Sequence, residues 1–242
     1  VPVNFGGYSP ENFNKKFHGK VRIEQALAYS LNVPAVKLLD EVGVPAFIDI
    51  FNKAGFTQIS RDENKLGLSV ILGGCGVTLE KLATLYAAMA NDGKYCELKW
   101  VKPALENKKI QLISSASTYM ITEILTQLTR PDLPNNYQSS YHVPKIAWKT
   151  GTSYGRRDAW SIGFNKNYTI GVWVGNFSGE GSYELTGARI ATPLLFEIFN
   201  TIEYNSQADW FLPPEEIKFR LVCEKSGLLP NTFCKNQIVD YF

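Results

Sequence analysis

The stretch IAWKTGTSYGRRDAW, residues 146–160, sets Lys149 beside Thr150, Gly151 and Thr152 in a segment with strand-like alternation. Successive side chains of a strand point to opposite faces, so Trp148, Thr150 and Thr152 share one face and Lys149, Gly151 and Ser153 the other. Two hydroxyls on one face, an ammonium alongside and the free N–H groups of a strand edge suit a ligand carboxylate: the lysine supplies charge, the hydroxyls directed hydrogen bonds. Gly151 leaves room for a second backbone to approach. The simpler role for Lys149 is a solvated edge charge that discourages foreign strands from pairing.

A second polar triplet, Ser30-Leu31-Asn32, stands 119 residues ahead of Lys149. A serine hydroxyl can both accept and donate a proton, and an asparagine carboxamide offers a donor and an acceptor to a substrate amide.

These two triplets, serine-x-asparagine and lysine-threonine-glycine, resemble two of the three marks of the penicillin-recognising serine transpeptidases and β-lactamases. Longer stretches carry the likeness further: GKVRIEQALAYSLNVPAVKLL, LGGCGVTLEKLATLYAAMANDGKY and KTGTSYGRRDAWSIGFNKNYTIGVWVGN resemble consecutive blocks of the transpeptidase domain of class A penicillin-binding proteins. KTGTSYGRRDAW and the later VCEKSGLLPNTFC are similar to one branch of that family. The resemblance implies that Ser30 relays a proton between a nucleophile-activating lysine and the leaving amine, and that Asn32 holds the acyl amide. It implies that Lys149 raises the local potential and supports Ser30, while Thr150 and Thr152, flanking Gly151, bind the terminal carboxylate of a D-Ala-D-Ala stem peptide or a β-lactam. The backbone N–H of Thr152 would be one of two oxyanion-hole donors.

The third mark, a serine followed three residues later by lysine, is carried by no serine in the chain. The nucleophile is therefore expected upstream of Val1, in a parent protein with a membrane anchor, working at the extracytoplasmic face of the inner membrane. Covalent reaction with a β-lactam is not expected of these 242 residues alone. A carboxypeptidase or β-lactamase would share these motifs but pass the acyl group to water, and a β-lactam sensor or interaction module would keep the walls of the site without the chemistry.

The elements that must position these residues can be read from periodicity. Residues 1–20 carry Gly, Pro and Asn punctuation and read as loop. Ile23, Ala26, Leu27 and Leu31 fall at helical spacing, and Pro34 is placed to open a second helix that ends near Gly43. Further helices are expected over PAFIDIFNKAG, over TLEKLATLYAAMANDG with Thr78 as N-cap and Gly93 past the end, and over SASTYMITEILTQL. A short hairpin is expected over 98–112. KIAWKTGTS, DAWSIGFN and YTIGVWVG read as three antiparallel strands, the last two joined at Asn165–Asn167, and GARIATPLLFEIFNTIEY as a closing helix. This order predicts an α+β fold, an antiparallel sheet flanked by helices, as in the penicillin-binding transpeptidase and β-lactamase folds, over residues 1–205, with a tail from 206 to 242.

Composition bounds the partners. A net charge of +2 from 25 basic and 23 acidic residues, without a basic run, argues against nucleic acid. No apolar stretch is long enough to span a bilayer. The cysteines lack zinc-site spacing, His18 and His142 read as ordinary loop residues, and neither a metal nor a cofactor is expected. Cys75 reads as a small buried residue. Cys223 and Cys234, in a tail with little core, are expected to pair as a disulfide if the compartment is oxidising, with Cys75 and Cys96 left as thiols.

Overall fold

The computed structural model describes residues 2–101, 108–128, 143–204 and 209–241. Residues 2–22 run as irregular chain and lead into helix α1, Ile23–Ala28. Helices α2 (Asn32–Val42), α3 (Val44–Lys53) and α4 (Thr57–Asp62) follow, with Gly43 and Gly55 making the turns at left-handed φ of 89° and 72°. Helix α5 spans Leu79–Ala90, and the Thr78 hydroxyl accepts from the Lys81 N–H at 3.2 Å as its N-cap. Helix α6, Ser115–Leu125, is capped by Ser114 in the same way.

Between α5 and α6 the pairing differs in place from the expected hairpin. Strand β1 is Lys94–Tyr95 and β2 is Ile110–Gln111, because Gly93 at φ 76° turns the chain back directly at the helix end. A Cβ on Gly93 would lie 2.0 Å from the Ile113 carbonyl oxygen, so no other residue fits there. The first helix is also shorter than its apolar spacing suggests: Ile23 faces solvent, and Leu31 is buried beyond the helix end.

Three strands form the central antiparallel meander in the order β3 (Ala147–Thr152), β4 (Asp158–Phe164), β5 (Thr169–Gly175). The turn between β4 and β5 is held by buried Asn165, whose side-chain oxygen accepts from the N–H groups of Asn167 and Tyr168, both at 2.9 Å. The side-chain amides of Asn165 and Asn167 donate to buried Glu203, which ties the turn to the end of the closing helix. That helix, α7 (Thr192–Glu203), is entered through one π-turn at Gly187–Ala191.

The sheet lies between two layers of helix. Gly163 abuts Leu195 and Phe199 of α7, whereas Gly171 abuts Leu79 and Ala83 of α5 on the other face. The main core gathers Trp148, Phe164, Leu195, Phe196 and Phe199, with the rings of Trp148 and Phe196 edge to face at 4.9 Å. A smaller core around Ile48, Phe56, Ile59 and Tyr95 joins α3, α4 and β1. An α+β architecture with an antiparallel sheet and flanking helices is thus observed.

Two strands appear in the tail where sequence gave none. Strand β6 (Phe219–Cys223) pairs with β7 (Gln237–Tyr241) and buries Val222. Ahead of this ribbon, Trp210 and Phe211 pack on the main core, and the Trp210 indole N–H donates to Glu123.

Candidate active site

Strand β3 is an edge of its sheet, and its ladder decides which of its groups are available. Ser153 N–H donates to the Asp158 carbonyl at 3.0 Å, so alternation sends the N–H groups of Gly151 and Lys149 towards β4 and those of Thr152 and Thr150 to the open edge. The outward N–H of Thr152 is the group an oxyanion donor requires.

Lys149 stands in the same cross-strand row as Ile162 and Gly171, the row that faces α5, and its ammonium donates to the Ser30 hydroxyl and, at 3.2 Å, to the Thr150 carbonyl. No carboxylate pairs with it among the described residues. Burial pushes its pKa down to about 8, since a desolvated ammonium is disfavoured without a counter-charge. Lys149 is therefore held between strand and helix rather than left as a solvated edge charge.

Ser30 reaches the lysine because of the way α1 ends. Ser30 N–H donates to Leu27 O at 3.1 Å and Leu31 N–H to Ala26 O at 2.8 Å, the two bonds of a Schellman turn with Ser30 at the left-handed position, φ 53°. Glycine is the usual occupant there, and a serine in that conformation is mildly strained. The strain coincides with a hydroxyl that contacts Lys149.

Asn32 is the first residue of α2. Its amide donates to the Glu11 carbonyl at 2.8 Å, which fixes the carboxamide and leaves its oxygen to accept. The buried side chain of Asn12 supplies the acceptor that Leu31, the N-cap residue, lacks: its oxygen takes the Val33 N–H at 3.2 Å while its amide donates to Lys16 O at 2.7 Å. The irregular N-terminal chain thus props the helix start that presents Asn32.

The threonines divide. Both lie on the face towards α7, opposite to Lys149; Thr152 accepts the Gly187 N–H at 3.0 Å, and the Thr150 hydroxyl makes no hydrogen bond among the described residues. Gly187 closes tightly on the strand: a Cβ there would lie 2.5 Å from Gly151 O and 2.4 Å from Trp160 O. The second backbone expected at Gly151 is present, and the residue that permits its approach is Gly187. Ser153 is spent on the following turn, accepting from the N–H groups of Arg157 and Asp158 at 3.2 and 2.9 Å.

A cleft of about 590 Å³ runs past these residues, lined among others by Asn32, Thr152, Ser153, Arg156 and Tyr183. The geometry brings together Ser30, Lys149 and the edge of β3, and places Asn32 and Thr152 on one cleft. Glu11, Asn12 and Gly187 escaped the sequence reading, since nothing local marks a residue whose partner is distant; the Schellman turn had a trace in the apolar Leu31 following the helix end. His18 lies in exposed loop and His142 falls outside the described residues. Among the described residues no group of acidic, histidine and cysteine side chains could hold a metal ion, and no helix is long and apolar enough to cross a membrane.

Comparison with known proteins gives one consistent answer. Residues 4–188 match the family described as the penicillin binding protein transpeptidase domain. The chain is 38% identical over 204 residues to penicillin-binding protein 1C of Escherichia coli, covering 84% of this chain and 26% of that protein. It is 28% identical to penicillin-binding protein 1A of Aquifex aeolicus over 86% of the chain and 29% of the relative. The chain thus spans little more than a quarter of these curated relatives. In fold it is similar to penicillin-binding protein 1A from Haemophilus influenzae, with a TM-score of 0.80 at 18% identity over 100% of this chain and 43% of that one. It is also similar to the PonA1 protein from Mycobacterium tuberculosis in complex with penicillin V, with a TM-score of 0.71 at 19% identity over 88% of this chain and 65% of that one.

Proposed function

The chain belongs to the penicillin binding protein transpeptidase domain family, in its class A branch, and from that premise we propose that it supplies two walls of a serine-type DD-transpeptidase site that cross-links D-Ala-D-Ala stem peptides and binds β-lactams. The observation that carries the reading is the hydrogen bond from Lys149 to Ser30, which joins the two motifs across 119 residues.

In the reaction, an attacking serine forms an ester with the penultimate D-alanine and expels the terminal one, and an amine from a second strand then takes the acyl group. Each residue here has one part. The Ser30 hydroxyl, accepting from Lys149, keeps its own hydrogen free to donate to the departing amine. Asn32 accepts the substrate amide through its free oxygen. The outward N–H of Thr152 donates to the developing oxyanion, a contribution of a few kcal/mol, roughly, for such a donor. The Thr150 and Thr152 hydroxyls receive the terminal carboxylate, Thr152 while holding Gly187, and Lys149 raises the local potential while supporting Ser30 from the other face of the strand. The nucleophile is assigned to the longer protein of which this chain is a part, anchored at the extracytoplasmic face of the inner membrane, and no cofactor enters.

The test uses fluorescent penicillin and denaturing electrophoresis. The longer protein takes the label and loses it when its serine-x-x-lysine serine becomes alanine, and Thr150→Val slows labelling. The 242-residue chain by itself stays unlabelled, because no serine in it has a lysine three residues on to act as base. A label mapped to Ser30 would reverse the assignment of relay and nucleophile.

A further inference from the structure

Beyond the motif residues, Arg156 is the one cation lining the cleft among the described residues, and its backbone and side chain are both fixed in place. Arg156 adopts a left-handed φ of 52°, its N–H donates to Ser153 O at 3.0 Å and its carbonyl accepts the Ser182 N–H at 3.1 Å. Gly181 makes that contact possible, since a Cβ there would lie 2.1 Å from Gly155 O. The guanidinium stacks on the Tyr183 ring at 4.2 Å, with Phe13 at 5.7 Å, and one Nη1 hydrogen donates to Tyr183 O at 2.7 Å. No carboxylate pairs with it among the described residues, whereas Arg189 is paired with Glu184 at 2.8 Å.

An arginine serving only to pin a loop could spend its charge on a neighbouring acid; this one keeps most of its fork unspent beside the cleft that Thr152 and Asn32 line. A guanidinium immobilised on an aromatic face has little entropy left to lose on binding and matches a carboxylate two bonds at a time. We propose that Arg156 is a specificity-determining residue that binds a second free carboxylate of the peptide substrate, distinct from the C-terminal one, so that the site selects acidic stem peptides over amidated ones. The inference rests on the transpeptidase reading above.

The test uses the longer protein and two acyl-donor peptides ending in D-Ala-D-Ala, identical except that one carries a glutamate side chain and the other glutamine at the same upstream position. Release of D-alanine gives kcat/KM for each. The glutamate peptide is expected to be favoured about tenfold or more, carried by KM rather than kcat; a ratio near one in the unaltered protein overturns the inference while leaving the transpeptidase assignment standing. In Arg156→Gln, which keeps a donor for Tyr183 O, the ratio is expected to fall to about one, and Arg156→Lys to retain part of it; an undiminished ratio in Arg156→Gln overturns the inference. Failure of both peptides to react, with penicillin labelling unchanged by Lys149→Met, would instead overturn the parent reading and this one with it.

Discussion

Lys149 and Ser30, one on an edge strand and the other at the left-handed end of a six-residue helix, are hydrogen-bonded side chain to side chain. Two groups that act as one relay are not independent, and their deletions should not add. In the longer protein, Ser30→Ala and Lys149→Met are each expected to slow penicillin acylation by about a hundredfold or more, the usual scale of a lost proton-transfer group, and the double variant by scarcely more than the worse single. Additive losses in stopped-flow acylation would separate the two residues functionally.

The same lysine sets a pH dependence. With its pKa lowered to about 8 by burial, Lys149 loses the proton it gives to Ser30 as pH rises through that value, so acylation should fall on the alkaline side with a limb near 8. Lys149→Arg, charged throughout, is expected to lack the limb whatever its absolute rate. The stability effect has the opposite sense: burying the ammonium is unfavourable below about pH 8 and is relieved between there and the ordinary lysine value, so the stability advantage of Lys149→Met over the native domain should shrink across that window in urea titrations.

Periodicity revealed the elements that bury one face: α2, α3, α5, α6, α7 and the three strands of the meander all lie where the apolar spacing puts them. It failed where order comes from elsewhere. The ribbon of β6 and β7 buries Val222 but leaves Phe219, Leu221 and Val239 exposed, so its sequence carries only a weak alternating signal. At the site, residue types together with the family resemblance singled out Ser30, Asn32, Lys149 and the threonines as candidates, while Asn12 and Gly187 act through backbone groups distant in sequence. A sequence displays what a residue can do more readily than where its partner will be.

Gly187 offers a direct check on the edge of β3. Gly187→Ala would drive a Cβ against Gly151 O and Trp160 O, both backbone atoms that cannot move without the strands. The change is expected to destabilise the domain by about 1–3 kcal/mol and to slow acylation, because the clash pushes the residue 187 N–H away from the Thr152 hydroxyl that it orients. Thermal melts and penicillin labelling of the longer protein report the two effects separately.

Cys223 and Cys234 face each other as thiols at the end of the ribbon, and hydrogen bonds to Cys223, the largest from Cys234, lower its pKa to about 7. Cys75, half-buried against the smaller core, has its thiol pushed up by burial. In reduced protein at neutral pH, Cys223 is therefore expected to alkylate first and Cys75 last, thiolate being the reacting form. Under an oxidising protein-disulfide couple the neighbouring pair should close into a disulfide, leaving Cys75 and Cys96 as thiols. Peptide mapping without reductant reads the outcome, and Cys223 recovered fully alkylated would sink it.

Position 30 sets durability against work. The left-handed turn that aims the Ser30 hydroxyl at Lys149 is one where glycine relieves the backbone strain and removes the hydroxyl in a single step. Laboratory evolution of this domain for heat tolerance alone is expected to enrich Ser30→Gly, yielding hardier but silent descendants, whereas selection on cell-wall synthesis should hold the serine against that pull. A copy freed from its task would accordingly show its retirement first at this residue, while its strands and core still looked intact.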